Sequence, residues 1–413
     1  MTTPATDDSR ADVGAAATAE PVGERSTVDS AAGWIVVAAT FVSTFTVFGV
    51  AYSFGAFFVP MADEFDSPRS AIALFFSITT FLYFGLGVVT GRISDRIGPR
   101  PVLLFGAACL VAGLLATSQV DSLVVGYLTY GIGVGIGVAC AYVPMVATVG
   151  LWFERRRTAA LGVSVAGIGV GTLVVVPVAE ALIERQGWRD TYLLLAAGAA
   201  VLLGLAAIGA RRPDDGRAAA EVVPLAQVIR GSRAFALLYA SSMSLVVALF
   251  LPFVFLGDYL DEQGIDGSAA LLVGTIGLAS VIGRLALGAL AARVAAIRLY
   301  QGSFLVVALS FLIWVSAGTS YPVLVFFAVV LGVAYGGFIA LAPAVAADLF
   351  GPVGLGGVLG ALYTAAGLGG LVGPPLAGEL IDRSGYTPAL LTAFGFALVG
   401  FLILIPLRPD RTR

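Results

Sequence analysis

Long apolar runs, parted by short polar or charged breaks, fill the chain from residue 33 to residue 407. A helix crosses the ~30 Å hydrocarbon core of a bilayer in roughly 20 residues. The runs therefore predict twelve transmembrane helices. Six fall at 33–58, 70–90, 101–119, 122–150, 158–183 and 191–210, and six at 234–257, 268–290, 299–317, 322–346, 355–379 and 388–407. The longest polar interruption, 211–233, holds Arg211, Arg212, Asp214, Asp215, Arg217, Glu221, Arg230 and Arg233 and reads as a cytoplasmic linker. It divides the membrane region into an N-terminal half, 31–210, and a C-terminal half, 234–408, followed by a short tail, 409–413. Residues 1–30 have almost no large apolar side chains and cannot bury enough surface to fold. They read as a disordered cytoplasmic tail, and their acidic character argues against a signal peptide. The expected fold class is an all-α membrane protein with two six-helix halves.

Charge sets the orientation. With the N-terminus inside, eighteen of the 23 arginines face the cytoplasm, four (Arg69, Arg185, Arg189 and Arg383) lie outside, and Arg284 alone sits within a span. The reverse orientation inverts that ratio, so both termini are expected in the cytoplasm of a multi-pass plasma-membrane protein. Composition agrees: 59% of residues are hydrophobic, 12% are charged and mean hydropathy is +0.97, whereas a soluble chain carries about 25% charged residues. All 23 basic residues are arginine, with no lysine or histidine. A phosphate-binding loop needs lysine, and a Ser-His-Asp triad or His-rich zinc site needs histidine. No ATP motor, metal, cofactor or nucleic-acid partner is expected. Cys109 and Cys140 fall in apolar segments and read as small buried residues.

The halves resemble each other. Gly133, Gly137 and Pro144 match Gly332, Gly336 and Pro343 at an offset of 199. Pro177, Leu182-Ile183-Glu184-Arg185 and Gly187-Trp188 match Pro375, Leu380-Ile381-Asp382-Arg383 and Gly385-Tyr386 at 198, and Gly91, Asp95 and Arg96 match Gly288, Ala292 and Arg293 at 197. Parallel six-helix repeats belong to a transporter architecture that binds its substrate between the halves, near the bilayer midplane. Pro144, Pro177, Pro343 and Pro374-Pro375 are candidate backbone breaks for rocking helices. The glycine runs Gly131 to Gly137 and Gly167 to Gly171 lie mid-span, where close helix packing is their use.

The loop Gly91-Arg92-Ile93-Ser94-Asp95-Arg96-Ile97-Gly98-Pro99-Arg100 combines two turn glycines with an aspartate among arginines. It resembles the signature loop of the major facilitator superfamily. That resemblance implies a conformational latch built from Gly91, Asp95, Arg96, Gly98 and Arg100, with a weaker copy where Ala292 replaces the aspartate. The run Trp152-Phe153-Glu154-Arg155-Arg156-Arg157-Thr158 through Gly162 to Gly167 is similar to the fifth-helix motif of the monocarboxylate transporter family. Asp29 with Gly33-Trp34 partly matches that family's first-helix motif. Tyr52 to Pro60 and Pro68-Arg69-Ser70-Ala71 resemble microbial members grouped with oxalate/formate antiporters.

Arg284 lies in Ser280-Val281-Ile282-Gly283-Arg284, nine residues before Arg293 and so ~13 Å from the membrane edge at about 1.5 Å per residue. A charge at such depth is costly unless paired, and its planar fork suits a carboxylate. The resemblance implies that an arginine here binds the substrate carboxylate. The family's acidic residue one turn earlier is Ser280 here, and its first-helix lysine aligns with Tyr52, so its proton-carrying chemistry is missing. Tyr52, Tyr142, Tyr335 and Tyr363 are further candidates, since a mid-span hydroxyl needs a partner. These readings point to a secondary active transporter of small organic anions, monocarboxylates foremost, working by alternating access, coupled to protons or a counter-transported anion and acting as a monomer. The alternatives are dicarboxylate exchange such as oxalate/formate, or drug or sugar transport on the same fold. An enzyme would need a nucleophile–base pair or metal cluster within the spans, and the sequence offers none.

Overall fold

A computed structural model describes residues 29–213, 231–351 and 355–407. Most of the N-terminal tail and of the 211–233 linker, and the whole 409–413 tail, lie outside the described residues.

The described chain is helical, with no strand among the described residues. Its spanning helices are α1 (Ala31–Phe65), α2 (Arg69–Ile97), α3 (Pro99–Thr117) and α4 (Leu123–Trp152), then a 53-residue run, Arg157–Gly209. After these come α7 (Arg233–Gln263), α8 (Ala269–Leu290), α9 (Ala296–Ala317), α10 (Tyr321–Phe350), α11 (Gly357–Ser384) and α12 (Tyr386–Leu404). A straight helix of that longest run would be about 80 Å long, far more than a ~30 Å core. It folds back at Gly187, whose φ of 83° and ψ of 166° are not helical. The run is thus two crossings, α5 (157–186) and α6 (188–209), which brings the described crossings to twelve. Gly385 makes the matching turn between α11 and α12 with φ of 77°. Both turns need a backbone conformation that a Cβ disfavours.

Several helices outrun their apolar segments. α2 continues to Ile97 and α7 to Gln263, because helical hydrogen bonding persists into the headgroup zone where charged side chains reach water. The prolines do not break the backbone as expected: Pro144, Pro177, Pro343, Pro374 and Pro375 all sit inside continuous helix. Neighbouring helices support such interruptions. The breaks fall instead at Ser53 in α1 and Phe250 in α7. These positions are pseudo-equivalent, and each redirects the following segment toward the opposite half. A Cβ on Gly55 would meet Phe253 O at 2.5 Å, so the redirected segments touch backbone to backbone. A further irregularity is the π-helical turn Tyr127–Ile132 in α4.

The repeat is real, but one register differs from the sequence reading. Gly135 packs on Leu82 and Thr79 of α2, while Gly332 packs on Ala279 and Ile276 of α8. All three pairs share an offset of 197. The 199 offset of Gly133 with Gly332 is therefore a slip of two residues. Glycine-rich helices present a glycine at several registers, and only the neighbour contacted identifies the true one. In lipid such close approaches, rather than water exclusion, hold helices together.

Candidate functional site

A cavity of about 40 Å³ lies between the halves at the level of the two breaks. Tyr52 of α1, Tyr83 of α2, Tyr142 of α4, Tyr335 of α10 and Tyr363 of α11 line it among phenylalanines and aliphatic residues. A water needs roughly 10–15 Å³ on this measure, so the halves have closed tightly here. Sequence reasoning singled out four of these tyrosines and missed Tyr83. The rule applied to the others, that a mid-span phenol needs a partner, would have found it.

Arg284 provides the charge. α8 ends at Leu290, before Arg293, because residues 291–294 turn away from the helix. The arginine is thus about 9 Å from the helix end, closer than the count from Arg293 suggests. Its Nη1 donates to Val165 O of α5 at 3.0 Å, across the seam between halves. Its Nε and Nη2 are buried with no partner among the described residues. The guanidinium does not line the cavity itself, but its charge acts on the hydroxyls of Tyr142, Tyr335 and Tyr363, which do. An anion with two oxygens in one plane would complete the unfilled donors. Ser280 does not join them. It is buried against α10, where a Cβ on Gly336 would meet its carbonyl oxygen at 2.2 Å, and its hydroxyl donates to Gly277 O at 2.8 Å.

The Tyr52 and Tyr335 hydroxyls lie 2.9 Å apart, joining the halves. Tyr52 also borders a second cavity, of about 240 Å³, lined by Glu180, Glu184 and Asp261. Together with Phe253, whose ring centroid is 4.5 Å from that of Tyr52, the tyrosine pair separates the two spaces. The second cavity is on the face opposite the chain ends, called here the far side.

The far side is clamped. Arg69 opens α2 and meets three carboxylates of the other half: Asp258 at 2.6 Å, Glu262 at 2.7 Å and Asp382 at 3.1 Å. Its backbone N–H also donates to Asp382 at 3.0 Å. Tyr386 donates to Asp258, and Ser70 donates to Glu379 at 3.4 Å. Ser268 of α8 donates to Glu180 of α5 at 2.6 Å, adding a third bridge between halves. Sequence reasoning noted Arg69 only as part of a motif, because its partners are hundreds of residues away.

On the side of the chain ends, Gly98 alone of the two expected turn glycines makes the α2–α3 turn, with φ of 93°, while the expected latch residues Gly91, Asp95 and Arg96 lie in the last turns of α2 and Arg100 in the first turn of α3. Asp95, Arg96 and Arg100 are exposed. Among the described residues Asp95 pairs with none of Arg92, Arg96 and Arg100; side chains separated by water gain little by pairing. The two family-like motifs form one structural unit. Asp29 accepts from the N–H groups of Arg155 and Arg156 at 3.2 and 3.4 Å, and its own N–H donates to Trp152 O at 2.8 Å. Trp34 meets Phe153 edge to face at 5.2 Å. Asp29 thus belongs to the folded protein rather than to a disordered tail. Arg155, Arg156 and Arg157 are exposed. Gly167 brings α5 onto α1, where a Cβ would meet Thr44 Oγ1 at 2.3 Å, while Gly162 faces Leu285 of α8.

Comparison with known proteins agrees with this architecture. The sequence profile of the Major Facilitator Superfamily matches residues 40–318 and 268–413. Monocarboxylate transporter 3 of Rattus norvegicus is 32% identical over 373 residues, covering 86% of this chain and 75% of that protein. Monocarboxylate transporter 13 of Bos taurus is 31% identical, covering 92% of this chain and 90% of its own length. Monocarboxylate transporter 12 of Rattus norvegicus is 30% identical, with 93% and 87% covered. With its two helical repeats and these relatives, the chain is a multi-pass membrane transporter that belongs to the major facilitator superfamily, among its monocarboxylate transporter-like members.

Proposed function

We propose that this protein carries small organic anions, monocarboxylates foremost, across the plasma membrane by alternating access, with Arg284 as the carboxylate receptor. The observation that carries this reading is the buried guanidinium whose Nε and Nη2 have no partner among the described residues. Such a group is costly in a bilayer, and a carboxylate both neutralises it and fits its fork. The relatives, monocarboxylate transporters 3 and 13, are named for the same substrate class. Tyr142, Tyr335 and Tyr363, which line the cavity, would donate to the bound anion. The arginine bias supports chain ends in the cytoplasm, and on that reading the clamped side is extracellular.

The test is uptake of radiolabelled lactate, pyruvate and oxalate into proteoliposomes, with Arg284→Ala beside the wild type. Losing one partner of a buried charge pair costs about 2–5 kcal/mol, so Arg284→Ala should cut uptake by at least ~30-fold while detergent melting shows a folded protein. Unchanged uptake in the variant would overturn the assignment. Ser280 and Tyr52 replace the acid and lysine that family members use in proton coupling, and the chain has no lysine or histidine. Uptake should therefore respond weakly to an imposed pH gradient and strongly to a trapped internal anion. Uptake that needs the proton gradient would establish symport instead.

A further inference from the structure

α2 carries buried hydroxyls at Ser77, Thr80 and Tyr83, and all three lack a partner among the described residues. They follow an i, i+3, i+6 spacing, so they form one winding row along the helix. Hydroxyls in a bilayer normally find a partner, and an isolated one is costly. Of the three, Tyr83 lines the cavity. It is 1% exposed, with its ring 5.7 Å from Phe48 and 4.3 Å from Phe84. Two other buried unpartnered groups, Tyr130 and Trp314, do not line the cavity, so lack of a partner alone does not mark a ligand contact.

Pseudo-symmetry sharpens the point. Tyr83 and Ser280 are equivalent at the offset of 197, as are Gly87 and Arg284. On α8 the arginine supplies the charge and Ser280 satisfies itself within its helix. On α2 the position of the charge is a glycine, and the residue one turn earlier presents a neutral phenol to the same cavity. Tyr52, Tyr142 and Tyr335 line the same cavity. One half thus holds a cation outside the cavity lining, and the other gives the cavity a neutral hydrogen-bonding wall.

We infer that Tyr83 is a specificity-determining contact, donating its hydroxyl to a substrate oxygen other than those of the Arg284-bound carboxylate. This rests on the carboxylate reading of Arg284. It makes a hydroxyl, oxo or second carboxylate oxygen part of what the site selects, and sets plain alkanoates at a disadvantage.

The experiment compares lactate with propionate, which has the same carbon count and lacks the hydroxyl, in proteoliposomes of wild type, Tyr83→Phe and Arg284→Ala. Phenylalanine keeps the ring contacts with Phe48 and Phe84 and removes only the hydroxyl. Tyr83→Phe is expected to weaken half-saturation for lactate about tenfold, the usual worth of one neutral hydrogen bond, and to leave propionate competition unchanged. An equal effect on both acids, or on neither, overturns the role of Tyr83 while leaving the carboxylate reading standing, provided Arg284→Ala still abolishes uptake. Wild-type protein that accepts neither acid overturns both together. A Tyr83→Phe protein with a lowered detergent melting temperature and equal losses for both acids counts against the inference as well.

Discussion

Arg284 is held by a backbone carbonyl rather than by an acid, so its position depends on how closely α8, α5 and α10 approach. Gly336 is among the tightest of these contacts: an added Cβ would meet Ser280 O at 2.2 Å and Arg284 N at 2.9 Å. Gly336→Ala should destabilise the protein by about 1–3 kcal/mol, the range for overpacking, and displace the guanidinium from Val165. A lower detergent melting temperature with reduced uptake would show it. Gly85→Ala, with nothing within 4 Å of its Cβ, is the matched control and should change neither. At this scale the sequence revealed Arg284 readily, because a lone charge in an apolar run is conspicuous. It misjudged Ser280, since nothing in the sequence tells whether a serine hydroxyl turns to its own helix or to a cavity. Tyr83 escaped notice for the converse reason, being one tyrosine in a run of aromatic residues that packing alone would explain.

Among the elements, helices and their number were legible because hydropathy directly reports which segments lipid will accept. The helix breaks were not. Proline marks where a hydrogen bond is missing, yet the supported prolines of α4, α5, α10 and α11 remain helical, while Ser53 gives no local warning. The meeting of two sequence motifs in one unit at the α4–α5 turn was also invisible, since Asp29 and its acceptor role lie 126 and 127 residues from Arg155 and Arg156. That unit can be tested by itself. Asp29→Ala leaves two backbone N–H groups without their acceptor, a loss comparable to removing a helix cap, about 0.5–2 kcal/mol. Trypsin should then cut at Arg155–Arg157 several-fold faster in detergent, and Asp29→Asn, which keeps an acceptor, should restore most of the protection. Equal digestion of all three proteins would mean that Trp34 and Phe153 hold the turn without help from the carboxylate.

For the molecule as a whole, two halves and a site between them followed from the repeat, but the conformational state did not. The far-side clamp joins Arg69 to carboxylates 189, 193 and 313 residues away, and no local pattern announces a pairing over such distances. Its consequence concerns the balance between states. Each ion pair is part-exposed, with Arg69 at 27% and its partners at 12%, 37% and 25%, so each contributes at most about 0.2–1 kcal/mol after solvent screening. Three sharing one guanidinium add up to roughly 1–2 kcal/mol in favour of the closed far side, a five- to thirtyfold bias in population. Replacing Arg69 by glutamine removes the charge and leaves three carboxylates from one half facing the other half without a cation. The far side should then open more often. Ala56 lines the cavity there, so a cysteine at Ala56, with Cys109 and Cys140 changed to serine, reports that opening through its rate of labelling by a membrane-impermeant maleimide. Arg69→Gln should raise the rate about tenfold, and Arg69→Lys, which keeps a point charge but loses the fork, should fall between. An unchanged rate in Arg69→Gln would assign far-side closure to the Gly55–Phe253 contact and the Tyr52–Tyr335 hydrogen bond, which hold the same two halves nearer the cavity.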